Sequence, residues 1–244
     1  MPSTPHLAGV LFDFNGVLLL DAPLHEQAWH EMALQLRGRE FSPHELRHLV
    51  HGRTNLDILS HLLDCTPSTG ELAELAGRKE ATYQQRCLAA GDQFQLAPGA
   101  VPLLDRLRAA GIPRAIATSS PRTNVDFFIA HLGLDRWFPR EAIVYDNGSF
   151  PGKPSPDIYQ LAAARLGLPP AACVVIEDAL SGVEAARRAG CGRIIAIGGA
   201  ITPTDGDTTS TGISLAIDRL DQFPLSWFDA ISPSPPPTGS DTPQ

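Results

Sequence analysis

Side chains that could bind a phosphate group or a cation follow apolar segments at four points along this chain. The first apolar run, Val10-Leu11-Phe12, leads into an acid, and the Asn-Gly pair just beyond it permits a tight turn because glycine tolerates backbone angles that other residues resist. The polar residues at the four points are Asp13, Thr118-Ser119-Ser120, Lys153 and Glu177-Asp178. Open α/β sheets bind ligands at the carboxyl ends of their parallel strands, so we expect these side chains to share one site.

The residue types are those that phosphoryl transfer requires: an oxyanion nucleophile, with positive charge and hydrogen-bond donors around the phosphate oxygens. Asp13 could attack and form an aspartyl phosphate, while the Thr118 hydroxyl, the Ser119 backbone N–H and the Lys153 ammonium could hold the phosphate. We expect Asp178 to face Asp13 from a neighbouring strand. Two carboxylates in contact need a cation between them, and hard oxygen ligands with phosphate chemistry favour Mg²⁺.

Each residue taken alone also has an ordinary structural interpretation. Asp13 could cap a loop, Thr118 could cap a helix, and Lys153 could be a solvated surface charge. Glu177 and Asp178 could be a pair at a helix N-terminus, where the helix dipole stabilises acids. The catalytic interpretation therefore depends on the four segments occurring together and in order.

The elements that must position these residues alternate between strands and helices after residue 97. Apolar segments predict strands at 10–14, 115–118, 142–145, 174–176, 194–197 and 214–217. Helices of about ten residues separate most of these strands. This alternation predicts an α/β fold with a doubly wound, Rossmann-like parallel sheet and right-handed crossovers.

Between residues 22 and 95 the apolar residues recur at helical spacing instead. We interpret 22–95 as a small all-helical cap of about four helices inserted after the first strand, with Ser42, just before a proline, suited to be a helix N-cap. The α/β core would then comprise 1–21 and 96–232. The Pro- and Ser-rich segment 233–244 is expected to be disordered.

Composition narrows the possible partners and compartment. The 244 residues carry a formal net charge of −8, which argues against a nucleic-acid surface. Four widely spaced cysteines without a C-x-x-C pair indicate free thiols in a reducing compartment rather than a zinc site or disulfide scaffold. No signal peptide or apolar run of about 18 residues is found, so we expect a soluble cytoplasmic protein without a membrane partner. We expect a monomer, with a dimer as the alternative, acting on a small phosphorylated metabolite.

Four motifs together carry a family resemblance over about residues 8–220. They are Leu11-Phe12-Asp13-Phe14-Asn15-Gly16-Val17, Ile116-Ala117-Thr118-Ser119, Gly152-Lys153-Pro154-Ser155-Pro156-Asp157 and Ile176-Glu177-Asp178-Ala179-Leu180-Ser181-Gly182-Val183. In this order they resemble the haloacid dehalogenase (HAD) superfamily with a helical cap of the β-phosphoglucomutase-like type. The segment Asp21-x-x-x-His25-x-x-x-Trp29 is similar to the hinge of that subgroup.

The resemblance implies a ligand set for Mg²⁺ and one departure from the usual catalytic residues. The metal would be held by the Asp13 carboxylate, the backbone carbonyl of Asn15 and Asp178, with Glu177 behind them or as an alternate ligand. The resembled enzymes usually carry an aspartate where Asn15 stands, as the general acid and base. An amide cannot deliver a proton, and loss of this help typically costs ~10²–10⁴-fold in rate. His25 is the best substitute, although it could also simply pack within the hinge.

The resemblance also implies substrate-binding residues near the cap. The segment His51-Gly52-Arg53-Thr54-Asn55 resembles the specificity loop of this subgroup, where Arg53 could bind a second anionic group or only pair with Asp57. Ser120 and Arg122 occupy positions where the mutases hold a distal phosphate. We expect a Mg²⁺-dependent phosphatase of a small phosphate monoester, such as a sugar phosphate. The alternatives are a phosphosugar mutase and, because of Asn15, a weakly active or inactive phosphosugar-binding module.

Overall fold

A six-stranded, entirely parallel sheet forms the centre of the protein, in a computed structural model that describes residues 6–199 and 212–228. Its strands are β1 (Gly9–Phe12), β2 (Arg114–Pro121), β3 (Ile143–Asp146), β4 (Cys173–Glu177), β5 (Arg193–Ile197) and β6 (Leu215–Ile217). The spatial order is β3-β2-β1-β4-β5-β6, so β1 lies between β2 and β4. Phe12 pairs with Ile116 on one side and with Ile176 on the other. The register therefore brings the carboxyl ends of all three strands to the same edge of the sheet.

Helices cover both faces of the sheet because its strands are apolar on both sides. The helices are α5 (Ala100–Ala109), α6 (Arg122–Leu132), α7 (Asp157–Arg165) and α8 (Leu180–Ala189). Side chains of α5 and α6 share one buried cluster with Phe12, whereas α7 and α8 share another with Leu11. Neighbouring residues of β1 thus point to opposite faces. The predicted doubly wound α/β fold is confirmed.

The remaining helices lie between the first and second strands of the chain. They are α1 (Ala22–Arg37), α2 (Pro43–Glu45), which continues as a π-helical turn at Leu46–Val50, α3 (Asn55–Leu63) and α4 (Thr69–Ala89). They enclose an apolar cluster of their own that includes Trp29, Phe41 and Leu59. The predicted N-cap at Ser42 is confirmed: its hydroxyl accepts from the Glu45 N–H in a reciprocal capping box. The inserted helical cap is present, while its exact boundaries at 22 and 95 stay a prediction.

Two strand ends differ from the sequence prediction by more than one residue. The first strand ends at Phe12 because the carbonyl of Phe14 already accepts the N–H groups of Leu18 and Leu19 in a turn. The second strand is longer than expected and extends to Pro121. The tail at 233–244 lies outside the described residues. Among the helices of the described segments, none has the length and apolarity needed to cross a membrane.

Candidate active site

The Lys153 ammonium lies between two acids at the carboxyl edge of the sheet. Its Nζ donates to Asp13 Oδ1 at 2.6 Å and to Glu177 Oε1 at 2.5 Å. The lysine is 1% exposed, so the three groups form a buried ion cluster rather than a surface pair. Asp13 follows β1 and Glu177 ends β4, while Lys153 comes from the loop before α7. The sequence prediction that these residues share one site agrees with this geometry.

Asp13, Glu177 and Asp178 together form an acidic group, in which Lys153 supplies one positive charge for three acids. One ligand oxygen from each of Asp13, Glu177 and Asp178 lies within 4.8 Å of the others. Burial raises the pKa of Asp13 to about 7, even though the Lys153 ammonium acts to lower it. Burial and the Asp13 charge also raise the pKa of Asp178 well above its ordinary value. Three acids around one ammonium would be stabilised by a further cation, so this donor set fits a hard divalent ion such as Mg²⁺.

Glu177 differs from the other two acids because its oxygens are already occupied. Oε1 accepts from the Tyr159 hydroxyl at 2.6 Å as well as from Lys153. Oε2 accepts the N–H groups of Asp178 and Ala179 at 3.1 and 3.2 Å. Glu177 therefore holds the lysine and the following turn in place, which favours a position behind the ligands over that of an alternate ligand.

The turn at Asn15-Gly16 brings the backbone against Asp178. Gly16 has a φ of +84°, and a Cβ built on it would lie 1.9 Å from Asp178 Oδ2. Both the backbone angle and the space therefore require glycine here. The tight turn expected from the Asn-Gly pair is thus present, and it places the chain beside the acidic group.

The hydroxyl residues after β2 contact Asn15 and the cap. Ser120 Oγ and Thr118 Oγ1 both donate to Asn15 Oδ1, at 2.8 and 3.3 Å. Ser119 Oγ donates instead to the carbonyl of Gly52 at 2.9 Å, across the boundary between cap and core. All three serine and threonine residues line the same cavity as Asp13 and Asn15.

The other end of the Asn15 amide contacts a buried acid that sequence analysis noted only as part of the hinge. Asn15 Nδ2 donates to Asp21 Oδ2 at 2.7 Å. The Tyr83 hydroxyl also donates to Asp21 Oδ2. Burial raises the pKa of Asp21 to about 6, although the Tyr83 and Asn15 hydrogen bonds act to lower it. The Asn15 side chain is thus fixed at both ends.

His25 lies beside this pair as a neutral imidazole. Burial, with the charges of Lys79 and His51, lowers the pKa of His25 well below its ordinary value. Its ring stacks on Tyr83 with centroids 3.7 Å apart, and Lys79 Nζ lies 2.8 Å from its Nδ1. Because the ammonium can only donate, Nδ1 accepts and the ring proton sits on Nε2. That nitrogen lies 3.3 Å from Asn15 Nδ2, which is also a donor, and 3.4 Å from Asp21 Oδ2, the acceptor for its proton.

Lys79 and its neighbours were missed as site residues by sequence analysis. Lys79 donates to both oxygens of Glu80 at 3.1 Å, and Glu80 also accepts from Asn55 and Asn124. The sequence did carry one indication that Lys79 is special: Lys79 and Lys153 are the chain's two lysines. Both are buried next to the site.

A cavity of about 430 Å³ separates the cap from the core. Its lining includes Asp13, Asn15, Asp21, His25, Gly52, Arg53, Lys79, Thr118, Ser119, Ser120 and Asp178. The Arg53 guanidinium donates to the carbonyls of Lys153 and His48, at 3.1 and 3.4 Å. The expected alternative of a pair with Asp57 is not found in the described part of the chain, because Asp57 is engaged by the capping residue Thr54.

Arg122 is the predicted substrate-binding residue whose position fits least. Its side chain is 70% exposed and lies 3.5 Å from Asp126, one turn along α6. It is absent from the lining of the cavity as the described residues define it. A contact with a substrate held in this cavity would require Arg122 to leave its ion pair.

The match to a family model extends over residues 7–190, and that model is described as a haloacid dehalogenase-like hydrolase. The chain belongs to this family. It is similar to hexitol phosphatase A from Escherichia coli strain K12, with 36% identity over 222 residues, 89% of this chain and 94% of the relative. It is also similar to β-phosphoglucomutase from Mycobacterium bovis, with 32% identity over 202 residues, 72% of this chain and 76% of the relative.

A solved structure shares both the fold and considerable sequence identity. It is a HAD hydrolase of family IA, variant 3, from Entamoeba histolytica, with a TM-score of 0.78 and 36% identity. The match covers 92% of this chain and 99% of that one. The superfamily resemblance drawn from the four motifs is therefore confirmed.

Proposed function

We propose that this protein is a Mg²⁺-dependent phosphatase that hydrolyses a small phosphate monoester through an aspartyl phosphate at Asp13. The observation that carries the proposal is the buried contact of Lys153 with Asp13, next to Asp178 and at the edge of the cavity between cap and core. An acid that lies beside a fixed ammonium and beside a carboxylate able to bind a cation is a suitable nucleophile for phosphorus.

In the proposed reaction, an oxygen of Asp13 attacks phosphorus and the bond to the ester oxygen breaks. Lys153 favours the ionised form of Asp13, while the Thr118 hydroxyl and the Ser119 N–H bind phosphate oxygens. A Mg²⁺ held by Asp13, Asp178 and the Asn15 carbonyl would add the positive charge that the three acids lack. Water then attacks the aspartyl phosphate, which releases inorganic phosphate and restores Asp13.

The departing alkoxide needs a proton that the Asn15 amide does not supply. We assign this proton to His25 Nε2, because Lys79 Nζ lies 2.8 Å from the opposite ring nitrogen and could return a proton to it. Burial lowers the pKa of Lys79, which favours its giving up that proton. The reverse transfers would restore both residues when water attacks.

A sugar phosphate is the proposed substrate class, and the 22–95 helices are the proposed cap over a core formed by 1–21 and 96–232. Relatives named for hexitol and sugar phosphates support this class, as does a cavity of about 430 Å³ with polar groups on its wall. The test is phosphate release from a panel of monoesters with Mg²⁺ and with EDTA. Release that needs Mg²⁺ and disappears in Asp13→Asn supports the proposal, whereas absence of release from every ester contradicts it.

A phosphosugar mutase is the second candidate, favoured by Arg53. This guanidinium lines the cavity, and its partners among residues 6–199 and 212–228 are two backbone carbonyls, so an anionic group could compete for it. The Mycobacterium bovis relative is a β-phosphoglucomutase. A requirement for a sugar bisphosphate during turnover would favour the mutase, and free phosphate release from many monoesters would favour the phosphatase.

A phosphosugar-binding module with little activity is the third candidate, and it is motivated by Asn15. The fixed amide between Ser120 and Asp21 leaves no acid at that position. Comparison of Asn15→Asp with the native protein discriminates between the candidates. A large gain over an almost inert native protein would favour the binding module.

A further inference from the structure

Asp21 carries a carboxylate oxygen that the fold leaves without a partner. The residue is 1% exposed and lines the cavity between cap and core. Its Oδ2 accepts from Asn15 and Tyr83, and His25 Nε2 lies 3.4 Å away. Its Oδ1 is buried and has no hydrogen-bond partner among residues 6–199 and 212–228. An unpartnered buried acceptor is costly, so a function for this oxygen is expected.

Helix capping, the usual structural role of an aspartate at this position, does not account for the buried Oδ1 of Asp21. Asp21 immediately precedes α1, where an acid commonly accepts a hydrogen bond from the first helical turn. Here the Asp21 side chain makes no such capping bond. It turns instead toward Asn15, whose amide oxygen accepts from Thr118 and Ser120. A single side chain therefore separates Asp21 from the hydroxyl groups at the end of β2.

We propose that Asp21 Oδ1 accepts a hydrogen bond from a hydroxyl group of the substrate other than the phosphorylated one. This inference rests on the proposed phosphatase function and narrows its substrate class to monoesters of polyols and sugars. The fixed contacts of Oδ2 with Asn15 and Tyr83 hold the carboxylate still, so its free oxygen is preorganised for a donor. A site built to bind a hydroxyl discriminates strongly against an ester that lacks one, because the buried acceptor then stays unpaired.

The test compares two esters and three proteins. The esters are a hexitol monophosphate and butyl phosphate, which has no second hydroxyl. The proteins are the native chain, Asp21→Ala and Tyr83→Phe, with folding checked by thermal unfolding. Tyr83→Phe serves as the matched control because it removes one partner of Oδ2, while Asn15 still holds that oxygen and Oδ1 stays in place.

In Asp21→Ala, the ratio of kcat/KM for the hexitol ester to that for butyl phosphate is expected to fall about 10- to 100-fold. In Tyr83→Phe this ratio should change less than about threefold, and Asp21→Asn should recover part of the loss. An unchanged ratio in Asp21→Ala, with both esters slowed equally, would overturn the inference.

Failure of the phosphatase proposal would be seen separately, as absence of phosphate release by the native chain. The dissociation constants of the two esters, measured by calorimetry, then decide the inference. Weaker binding of the hexitol ester alone in Asp21→Ala supports it, and equal effects on both esters overturn it.

Discussion

Replacing Lys153 by methionine should destabilise the protein, because it removes the positive charge that lies among Asp13, Glu177 and Asp178. Methionine retains the length and apolar bulk of the side chain but removes the ammonium that bridges Asp13 and Glu177. Breaking a buried ion pair by removing one partner costs about 3–5 kcal/mol. We expect a loss of this size in the free energy of unfolding of the metal-free protein, together with loss of phosphate release.

The size of the loss should depend on pH in a defined direction. The pKa of Asp13 in the folded protein is about 7, against an ordinary value near 3.8, so the folded state binds the extra proton between these values. The free energy of unfolding of the native protein therefore falls as pH rises toward 7, and it levels off above pH 7. Without the lysine the pKa of Asp13 rises further, so Lys153→Met should continue to lose about 1.4 kcal/mol per pH unit above pH 7.

Urea unfolding of the native and variant proteins in EDTA at pH 7 and at about pH 8.5 measures this difference. The control adds Asp13→Asn to both proteins, which removes this titrating acid and should reduce the extra dependence on pH. A smaller part should remain from Asp178, because Lys153 also acts to lower the pKa of that acid. An equal difference between native and Lys153→Met at both pH values would refute the reasoning, because the ammonium would then not control the charge of Asp13.

Three further changes test other parts of the structure. Asn15→Asp places a second carboxyl against Asp21, at the 2.7 Å contact that the amide now makes. The free energy of unfolding of this variant in urea should therefore fall by about 1 kcal/mol or more between pH 5 and 8, and adding Asp21→Asn should restore the lost stability. Gly16→Ala puts a methyl group against Asp178 at a positive φ, so titration of phosphate release with Mg²⁺ should show at least about tenfold weaker activation; unchanged activation would contradict the close approach. Hydrogen bonds from Arg39 and from the Ser42 N–H lower the pKa of Glu45. Glu45→Gln should therefore reduce the free energy of unfolding, measured by thermal unfolding, by about 1 kcal/mol near pH 7 and should have no effect once acid protonates Glu45. A loss of stability that does not depend on pH would contradict this expectation.

The parts of the site that lie at strand ends could be predicted because their signals are local. An apolar run that stops at Asp13, or at Glu177, marks both a strand and its polar end. Parallel pairing of β1 with β2 and β4 then brings those ends together without further information. Lys153, between a glycine and a proline, was conspicuous because the chain has two lysines. Its complete burial between two acids was not predicted, since that depends on the loop path.

The cap side of the site could not be predicted from the sequence because it depends on contacts between distant segments. Tyr83 and Lys79 lie on α4, whereas Asp21 and His25 lie at the start of α1, more than fifty residues earlier. Helical periodicity indicates which face of each helix is buried, but not which polar residues of two helices meet. The same limit applies to Arg53, which contacts the carbonyl of Lys153, a hundred residues away.

The amide at position 15 is best understood together with the acid at position 21. An acid at 15 would add to the imbalance of Asp13, Glu177 and Asp178 and would also face Asp21 directly. At about 3 Å and an effective dielectric constant of about 20, two such charges repel by about 5 kcal/mol. An amide avoids this repulsion, because its oxygen accepts from Ser120 while its nitrogen donates to Asp21. The resembled enzymes carry a carboxylate two residues after the expected nucleophile, whereas this chain has an amide there and a carboxylate six residues further along. Asn15 is the neutral link between that carboxylate, Asp21, and the hydroxyls of Thr118 and Ser120.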